Sequence, residues 1–163
     1  VQGRELAVVN QAAEAWAGAV RLRRMTVEGA VIGEAEVEFT AGARAVARVG
    51  VPEELVPGGP KEFLVADAEG SRALHFPAAD REIPYPRPEF DVSVAPDGSV
   101  TVVARSLVRD LLLQADRLDP DARADRGLVT LLAGERVTIG VSGWKTPDAD
   151  AARSALYCME PSR

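Results

Sequence analysis

Acidic side chains are the most plentiful groups in this sequence that could do chemistry. The chain has 163 residues, with 25 Asp and Glu against 19 Lys and Arg. Two carboxylates can hydrolyse a glycosidic bond when they lie roughly 5–10 Å apart and their pKa values are separated. Most of the acids here alternate with apolar residues or lie in loops, which predicts that they face water. The sequence therefore predicts no catalytic residue and no cofactor.

Four aspartates crowd one loop of the C-terminal half, at Asp116, Asp119, Asp121 and Asp125. Carboxylate oxygens could hold Ca²⁺ there, but the loop lacks the central Gly and the closing Glu of the twelve-residue calcium loop. Capping and turn formation are the favoured interpretation, with Asp119 as N-cap and Pro120 in the first position of a helical turn. We therefore expect no metal site.

Histidine and cysteine each occur once, which limits the metal and nucleophilic chemistry of the chain. A single His75 excludes a site with several imidazole ligands, and a single Cys158 excludes an internal disulfide. His75 follows Leu74 and precedes Phe76, so we expect it on the opposite, exposed face of a strand, in a structural role. Cys158 is expected to be a free thiol in a mobile tail.

The two tryptophans are further candidates for a binding site, because sugar rings stack on exposed aromatic side chains. Modules that bind carbohydrate usually present several aromatic residues on one platform, whereas aromatic residues make up only 5% of this chain. Trp16, at the start of a predicted strand, is expected in a core or an interface. Trp144, near the end of the last predicted strand, is the better candidate for a ligand contact, although packing is the favoured interpretation for both.

The secondary structure predicted from this sequence consists mainly of strands. In Glu34–Phe39, three glutamates alternate with apolar residues, and this period of two predicts a sheet with one buried and one exposed face. Further segments have the same character: Leu6–Val9, Ala19–Met25, Glu62–Ala68, Phe90–Val94, Val100–Arg105 and Arg136–Val141. Short strands with turn signals between them, and no long amphipathic helix, predict an all-β fold of antiparallel sandwiches.

Acidic-Gly dipeptides predict the tight hairpin turns between strands, because Gly adopts a positive φ without strain. They occur at Glu28-Gly29, Glu69-Gly70 and Asp97-Gly98. A two-residue turn at the first of them places Arg21 opposite Glu36 and Arg23 opposite Glu34, on the exposed face. The second hairpin, built in the same way, opposes Val65 with Leu74, Phe63 with Phe76 and Asp67 with Arg72.

Alternating prolines in Ile83–Glu89 predict a stiff, extended connection that cannot lie in a central strand. We therefore expect two immunoglobulin-like antiparallel β-sandwich domains in tandem, at residues 1–83 and 89–144, joined by a linker at residues 84–88. Residues 145–163 are expected to form a tail with a short helix over Asp148–Leu156, capped by Asp148 or Thr146.

Charge and hydropathy exclude several classes of partner. The net charge is −6 and the arginines are scattered among more numerous carboxylates, so we expect no basic face for nucleic acid or an anionic membrane. No apolar run approaches the length of a membrane span. The first residues lack a signal-peptide pattern. Because the chain begins with Val1, we expect an excised fragment or a processed chain, whose compartment stays open.

Short motifs in both halves are similar to those of one enzyme family. The second half contains Ser106-Leu-Val-Arg-Asp-Leu111, Asp116-Arg-Leu-Asp-Pro-Asp-Ala122 and Leu131-Leu-Ala-Gly-Glu135; the first half contains Leu6-Ala-Val-Val-Asn10 and Trp16-Ala-Gly18. Over roughly residues 5–142 the chain resembles the C-terminal immunoglobulin-like β-sandwich domains of β-mannosidases of glycoside hydrolase family 2. Ala133 stands where that family commonly has Pro.

The resemblance implies a parent enzyme, a retaining glycosidase that hydrolyses terminal β-mannosyl residues. Its catalytic glutamates lie on a (β/α)₈ barrel, which takes about 250 residues with alternating helices and is absent from this sequence. No position here receives a catalytic role, and the chain itself is expected not to be an enzyme. The implied task is packing against the catalytic barrel, with Trp144 and Trp16 as candidate contacts to barrel or sugar. A cytoplasmic parent is slightly favoured.

Two other classes of protein stay open. One is a stand-alone carbohydrate-binding module with an oligosaccharide as ligand, and the other is a cell-surface or scaffold protein built of immunoglobulin-like domains. A further expectation concerns self-association. A sandwich that starts directly in a strand at Leu6 has an unpaired edge, which predicts a homodimer through that edge.

Overall fold

A computed structural model describes residues 4–160. Residues 1–3 of the predicted first domain and residues 161–163 of the predicted tail lie outside the described part. Backbone contacts group the chain into two compact units that divide between Pro84 and Tyr85. None of the helices within residues 4–160 is both long enough and apolar enough to cross a bilayer.

The first unit contains six described strands in two antiparallel sheets. They are β1 (Glu5–Val9), β2 (Trp16–Thr26), β3 (Val31–Ala41), β4 (Val46–Gly50), β5 (Glu62–Ala68) and β6 (Ser71–His75). One sheet pairs β1 with β4, and the other has the order β3-β2-β5-β6. Single 3₁₀ turns at Glu53–Leu55 and Asp80–Glu82 complete the unit.

The two sheets of the first unit pack face to face over one hydrophobic core. Leu6 and Val8 point inward from β1 while the residues between and beside them are exposed. They meet Val20, Leu22 and Leu64 from the larger sheet in the same cluster of buried side chains. Alternate residues are therefore removed from water along β1, as a period of two predicts. The central strand β5 instead buries residues of both faces, from Phe63 to Ala66.

The hairpin formed by β2 and β3 has the predicted register. Arg21 lies opposite Glu36 and Arg23 opposite Glu34. The ion pairs, however, join other partners: Arg21 donates to Glu34 at 2.7 Å, and Arg23 donates to Asp67 of β5 at 2.7 Å. A long arginine side chain reaches its diagonal neighbour as easily as the residue opposite, so the register did not determine the pairing.

The hairpin of β5 and β6 also has the predicted register. Val65 lies opposite Leu74 and Asp67 opposite Arg72. Just beyond the last paired residues, the rings of Phe63 and Phe76 stack with their centroids 4.8 Å apart and their planes 14° from parallel. Stacked aromatic pairs at this separation add stability beyond the area that they bury.

The second unit contains eight short strands and one helix. They are β7 (Phe90–Val94), β8 (Val100–Ala104), β9 (Val108–Leu113), β10 (Arg123–Ala124), β11 (Val129–Leu131), β12 (Arg136–Ile139), β13 (Val141–Ser142), α1 (Ala149–Ala155) and β14 (Leu156–Tyr157). The sheets have the orders β12-β8-β7, β11-β9-β14 and β10-β13, all antiparallel. Together with the first unit, this confirms the prediction of an all-β, antiparallel fold.

The C-terminal segment belongs to the core of the second unit. Asp148 caps α1 as predicted, since its carboxylate accepts the N–H of Ala151 at 2.7 Å. After the helix, β14 pairs with β9. Cys158 is only 8% exposed and joins the same buried cluster as Ala152. The expectation of a thiol in a mobile tail is therefore wrong, because the chain returns to the sheet after α1. Burial raises the pKa of the Cys158 thiol.

Two local predictions in the second unit are also wrong. The strand predicted over Arg136–Val141 is divided at Gly140, whose N–H donates to Asp125 at 3.0 Å instead of joining a ladder. The helical turn predicted from Asp119 lies earlier, at Ala115–Arg117. Asp119 instead forms a turn of its own, in which its carboxylate accepts the N–H of Asp121 at 3.1 Å.

The buried face of β2 allows a direct test of the first core. Leu22 is 0% exposed, so Leu22→Ala removes buried methyl groups and leaves a cavity. We expect the free energy of unfolding in urea to fall by about 2–5 kcal/mol. Ile32 of β3 is 46% exposed, and Ile32→Ala is the matched control, with a change within about 0.5 kcal/mol. Equal losses in the two variants would contradict this assignment of faces.

Candidate functional site

Asp67 is a carboxylate of the first unit that two arginines hold. It accepts hydrogen bonds from Arg72 at 2.5 Å and from Arg23 at 2.7 Å, and so ties β2, β5 and β6 together on the outer face of the sheet. Burial opposes the charge of Asp67, but the two guanidinium groups outweigh it and the pKa of Asp67 is lowered. A carboxylate held ionised in this way joins strands and cannot serve as a proton donor at neutral pH.

The other carboxyl groups with a shifted pKa also have a pKa below the usual value. A backbone hydrogen bond from Gly58 lowers the pKa of Glu62, and a hydrogen bond from Arg21 lowers that of Glu34. Hydrogen bonds from Ser99 lower the pKa of Asp97 in a turn of the second unit. Glycoside hydrolysis needs one carboxylic acid whose pKa is raised. These acids are therefore suited to ion pairing and turn formation.

The aspartates in the acidic loop of the second unit have different partners. Asp119 and Asp121 share Lys145, whose ammonium lies 3.6 Å from each carboxylate. Asp125 instead accepts the N–H of Gly140. Within residues 4–160, no group of His, Cys, Asp and Glu side chains has an arrangement that could hold a metal ion. The loop is organised by turns and by a shared lysine.

Gly143 lets the chain pass close to this loop. Its φ is +78°, and a Cβ built on it would lie 2.4 Å from the carbonyl oxygen of Asp121. Only glycine fits both the backbone conformation and the space. The next residue, Trp144, is half-buried and packs against the core of the second unit. Packing, rather than an exposed sugar platform, therefore accounts for most of the Trp144 ring.

Trp16 is positioned by a loop that a buried asparagine holds. The Asn10 side chain is 5% exposed, donates to the carbonyl oxygens of Glu14 at 2.8 Å and Gly42 at 2.9 Å, and accepts the N–H of Ala12 at 3.0 Å. A satisfied buried amide fixes the path of the chain around it. The loop after β1 therefore fixes the position of Trp16 at the start of β2.

The Trp16 ring forms part of the wall of a cleft. Its Nε1–H donates to Glu69 at 2.9 Å, and its edge meets the Phe39 ring with centroids 4.7 Å apart. Beside it lies a cavity of about 150 Å³ between β1 and the strands β5 and β6. We call this the β1 cleft; its walls are Leu6–Val9, Trp16, Val20, Ala66, Ala68 and Ser71–Ala73. Trp16 thus has the packing role that the sequence favours, at the margin of an apolar opening.

His75 lies in the edge strand β6, opposite Leu64. It is on the face opposite Leu74 and Phe76, as predicted, but it is half-buried rather than exposed. The reason is that this face is the one on which Leu64 is buried in the core of the first unit. Burial lowers the pKa of His75.

The sequence-based candidates are divided between the two units. Trp16 and His75 lie in the first unit, whereas Trp144, the acidic loop and Cys158 lie in the second. The β1 cleft was not predicted, because its walls come from four strands that the topology brings together. The available signal was the alternation in Leu6–Val9, which marks a strand without showing that one of its edges is open.

Comparisons with known proteins give a fold and no family. No protein-family model matches the chain, and no curated protein matches it either. Among solved structures, a β-D-mannosidase from Dictyoglomus thermophilum aligns with 91% of this chain at 18% identity and a TM-score of 0.62. An exo-chitosanase from Amycolatopsis orientalis aligns with 99% of it at 15% identity and a TM-score of 0.54.

A second structure of that chitosanase, a variant in complex with PNP-β-D-glucosamine, aligns with 98% of the chain at 16% identity and a TM-score of 0.50. The chain spans only 19% of the mannosidase and 25% of the chitosanase. At these identities the likeness shows that the described residues have a β-sandwich fold found within two glycosidases.

Asp67 gives a test with a defined pH dependence. Its pKa is lowered in the folded protein, so its contribution to stability is complete above the unfolded-state value of about 3.9 and is lost as the pH falls through the folded-state value. We expect Asp67→Asn to lower the free energy of unfolding at pH 7 by about 1–3 kcal/mol. The difference in the free energy of unfolding between variant and wild type should be smaller at about pH 2.5.

Urea unfolding at the two pH values measures both quantities. Glu38→Gln, at an exposed glutamate of β3, is the control and should leave the stability within about 0.5 kcal/mol of wild type. A gap for Asp67→Asn that is as large at pH 2.5 as at pH 7 would rule out a role for its charge.

Gly143 and Gly134 form a matched pair for testing the close approach in the second unit. Both have positive φ, +78° and +85°, but no atom lies within 4 Å of a Cβ built on Gly134. Gly134→Ala should cost about 1–2 kcal/mol for the backbone conformation alone. Gly143→Ala should cost about 1–3 kcal/mol more, because its methyl group meets the Asp121 carbonyl. Chemical denaturation followed by circular dichroism measures both; similar losses would show that the approach is not tight.

Proposed function

We propose that this chain is a non-catalytic β-sandwich region of a glycoside hydrolase of family 2, and that its parent is a β-mannosidase. The observation that carries the proposal is the alignment of 91% of the chain with a part of a β-D-mannosidase, at a TM-score of 0.62. The motifs at residues 106–111 and 131–135 resemble the same family, so a sequence pattern and a fold support it separately.

The proposed task of the region is to pack against the catalytic barrel of its parent. The acids support a structural task, since Asp67 and Glu34 are held by arginines and Asp119 shares Lys145 with Asp121. The alignment covers only 19% of the mannosidase, so most of such an enzyme is formed by other residues. In this proposal the catalytic part is among them. The substrate of the parent would then be set outside this chain.

The choice of β-mannosidase depends on the motifs more than on the fold. An exo-chitosanase shares the sandwich almost as well, at a TM-score of 0.54, so the fold supports a glycosidase in general. The mannosidase resemblance comes from Ser106–Leu111 and from Leu131–Glu135. In the structure, Glu135 accepts the N–H of Leu132 at 2.9 Å and closes the turn before β12. The glutamate of that motif therefore has a structural role.

The aromatic residues argue against the alternative of a stand-alone carbohydrate-binding module. Such a module needs exposed aromatic rings on one platform. Trp16 is tied to Glu69 and packed on Phe39, whereas Trp144 packs against the core of the other unit. Neither unit brings the two indole rings together, so a stacking platform built from both is not available within a unit.

The proposal is tested by assaying this chain alone, with an intact β-mannosidase as positive control. We expect no release of nitrophenol from 4-nitrophenyl β-mannoside or 4-nitrophenyl β-glucosaminide, because the carboxyl groups with shifted pKa values are all ion-paired or hydrogen-bonded. Calorimetric titration with manno-oligosaccharides should give no saturable heat. Hydrolysis that co-purifies with the chain would contradict a non-catalytic role. Saturable binding that is lost in Trp144→Ala would instead support the binding module.

A further inference from the structure

Strand β1 is an open edge of its sheet. It pairs with β4, and no other described strand pairs with it. The carbonyl of Arg4 accepts the N–H of Val51 at 2.7 Å. Arg4 and the alternate residues that follow it, Leu6 and Val8, therefore direct their backbone N–H and C=O groups toward β4. In an antiparallel ladder the residues between them point the other way. The N–H and C=O groups of Glu5, Ala7 and Val9 are therefore directed away from β4.

The edge of β1 has little of the protection that natural sheets place on their edges. Edge strands usually carry charges, prolines or bulges that discourage pairing with another chain. The exposed face of β3, at an edge of the larger sheet, carries Glu34, Glu36 and Glu38. By contrast, β1 has no proline, its only charge is Glu5, and Arg48 neutralises that charge at 3.2 Å.

Exposed valines lie at one end of the open edge. The side chain of Val9 is 56% exposed at the end of β1, and Val46 beside it on β4 is equally exposed. The β1 cleft opens on the inner side of the strand, where Leu6 and Val8 form its wall with Trp16. An added strand would bring unpaired backbone groups to this edge and apolar side chains to the mouth of the cleft.

We infer that the strand that fills this edge is β1 of a second copy of the chain, paired antiparallel about a two-fold axis at Ala7. Ala7 then faces Ala7 of the second copy, and Glu5 faces Val9 of the second copy. These are the residues whose backbone groups point to the open edge, so each exchanges hydrogen bonds with its counterpart. The two small sheets become one continuous sheet.

In this register no like charges meet across the axis. On the outer face, Glu5 meets Val9 of the second copy rather than another glutamate, and the small Ala7 lies at the axis. On the inner face, Leu6 meets Val8 of the second copy at the mouth of the β1 cleft. An isologous contact requires this kind of match, because the same surface is used twice. The inference depends on the fold of the first unit and not on the proposed function.

A charge-swap experiment on the 163-residue chain tests the pairing. Ala7 is exposed and faces Ala7 of the second copy in the dimer, so Ala7→Asp or Ala7→Lys places like charges at the axis. Arg48 lies opposite Ala7 on β4 within each monomer, so the stability of each variant is measured beside its association. Sedimentation equilibrium should show a dimer for the wild type and a dissociation constant at least about tenfold higher for either variant. An equimolar mixture of the two variants should recover the wild-type affinity.

Ala30→Asp and Ala30→Lys are the matched controls, since Ala30 is an exposed alanine in the β2–β3 turn, and both should remain dimers. A wild type that is monomeric at all concentrations would overturn the inference. A dimer that Ala7→Asp and Ala7→Lys do not weaken, or a mixture that fails to recover, would place the interface elsewhere. Circular dichroism confirms that each variant is folded before it is scored.

Discussion

Both units depend on the burial of alternate side chains between facing sheets. Val20 and Leu22 in the first unit, and Val100 and Ile139 in the second, have almost no exposed surface. Strands such as β1, β8 and β12 turn one side of their side chains to the core, and β5 is buried on both faces. Most charged residues are therefore left on outer faces and in loops. Ionised carboxylates placed there gain arginine partners and keep lowered pKa values. The groups available for function are therefore those at strand edges, in turns and on exposed faces.

The parts of the fold that could be predicted are those set by short-range rules. A two-residue turn and a period of two determine a hairpin register, which is why the residues opposite Arg21 and Val65 were predicted correctly. Ion pairs could not be predicted in the same way. Arg23 has Glu34 on one side and β5 on the other, and it bonds to Asp67, which lies 44 positions along the chain.

Features that depend on pairing between distant parts of the chain could not be predicted from the sequence. The burial of Cys158 follows from the return of β14 to β9, where Leu156 lies opposite Leu113, and no local pattern signals that return. The turn at Asp119 was misplaced because an aspartate before a proline suits an N-cap and an Asx turn equally well. The β1 cleft exists only once the sheets are assembled, although the strand that borders it was recognised.

The central claim is that this sandwich accompanies catalysis carried out by other residues of a larger glycosidase. The most direct test is the structure of the whole gene product that contains these residues. We predict that it shows a (β/α)₈ barrel with two glutamates at the ends of its strands, in the same polypeptide as the sandwich. A gene product without such a barrel, or one whose glycosidase activity is located within residues 4–160, would contradict the claim.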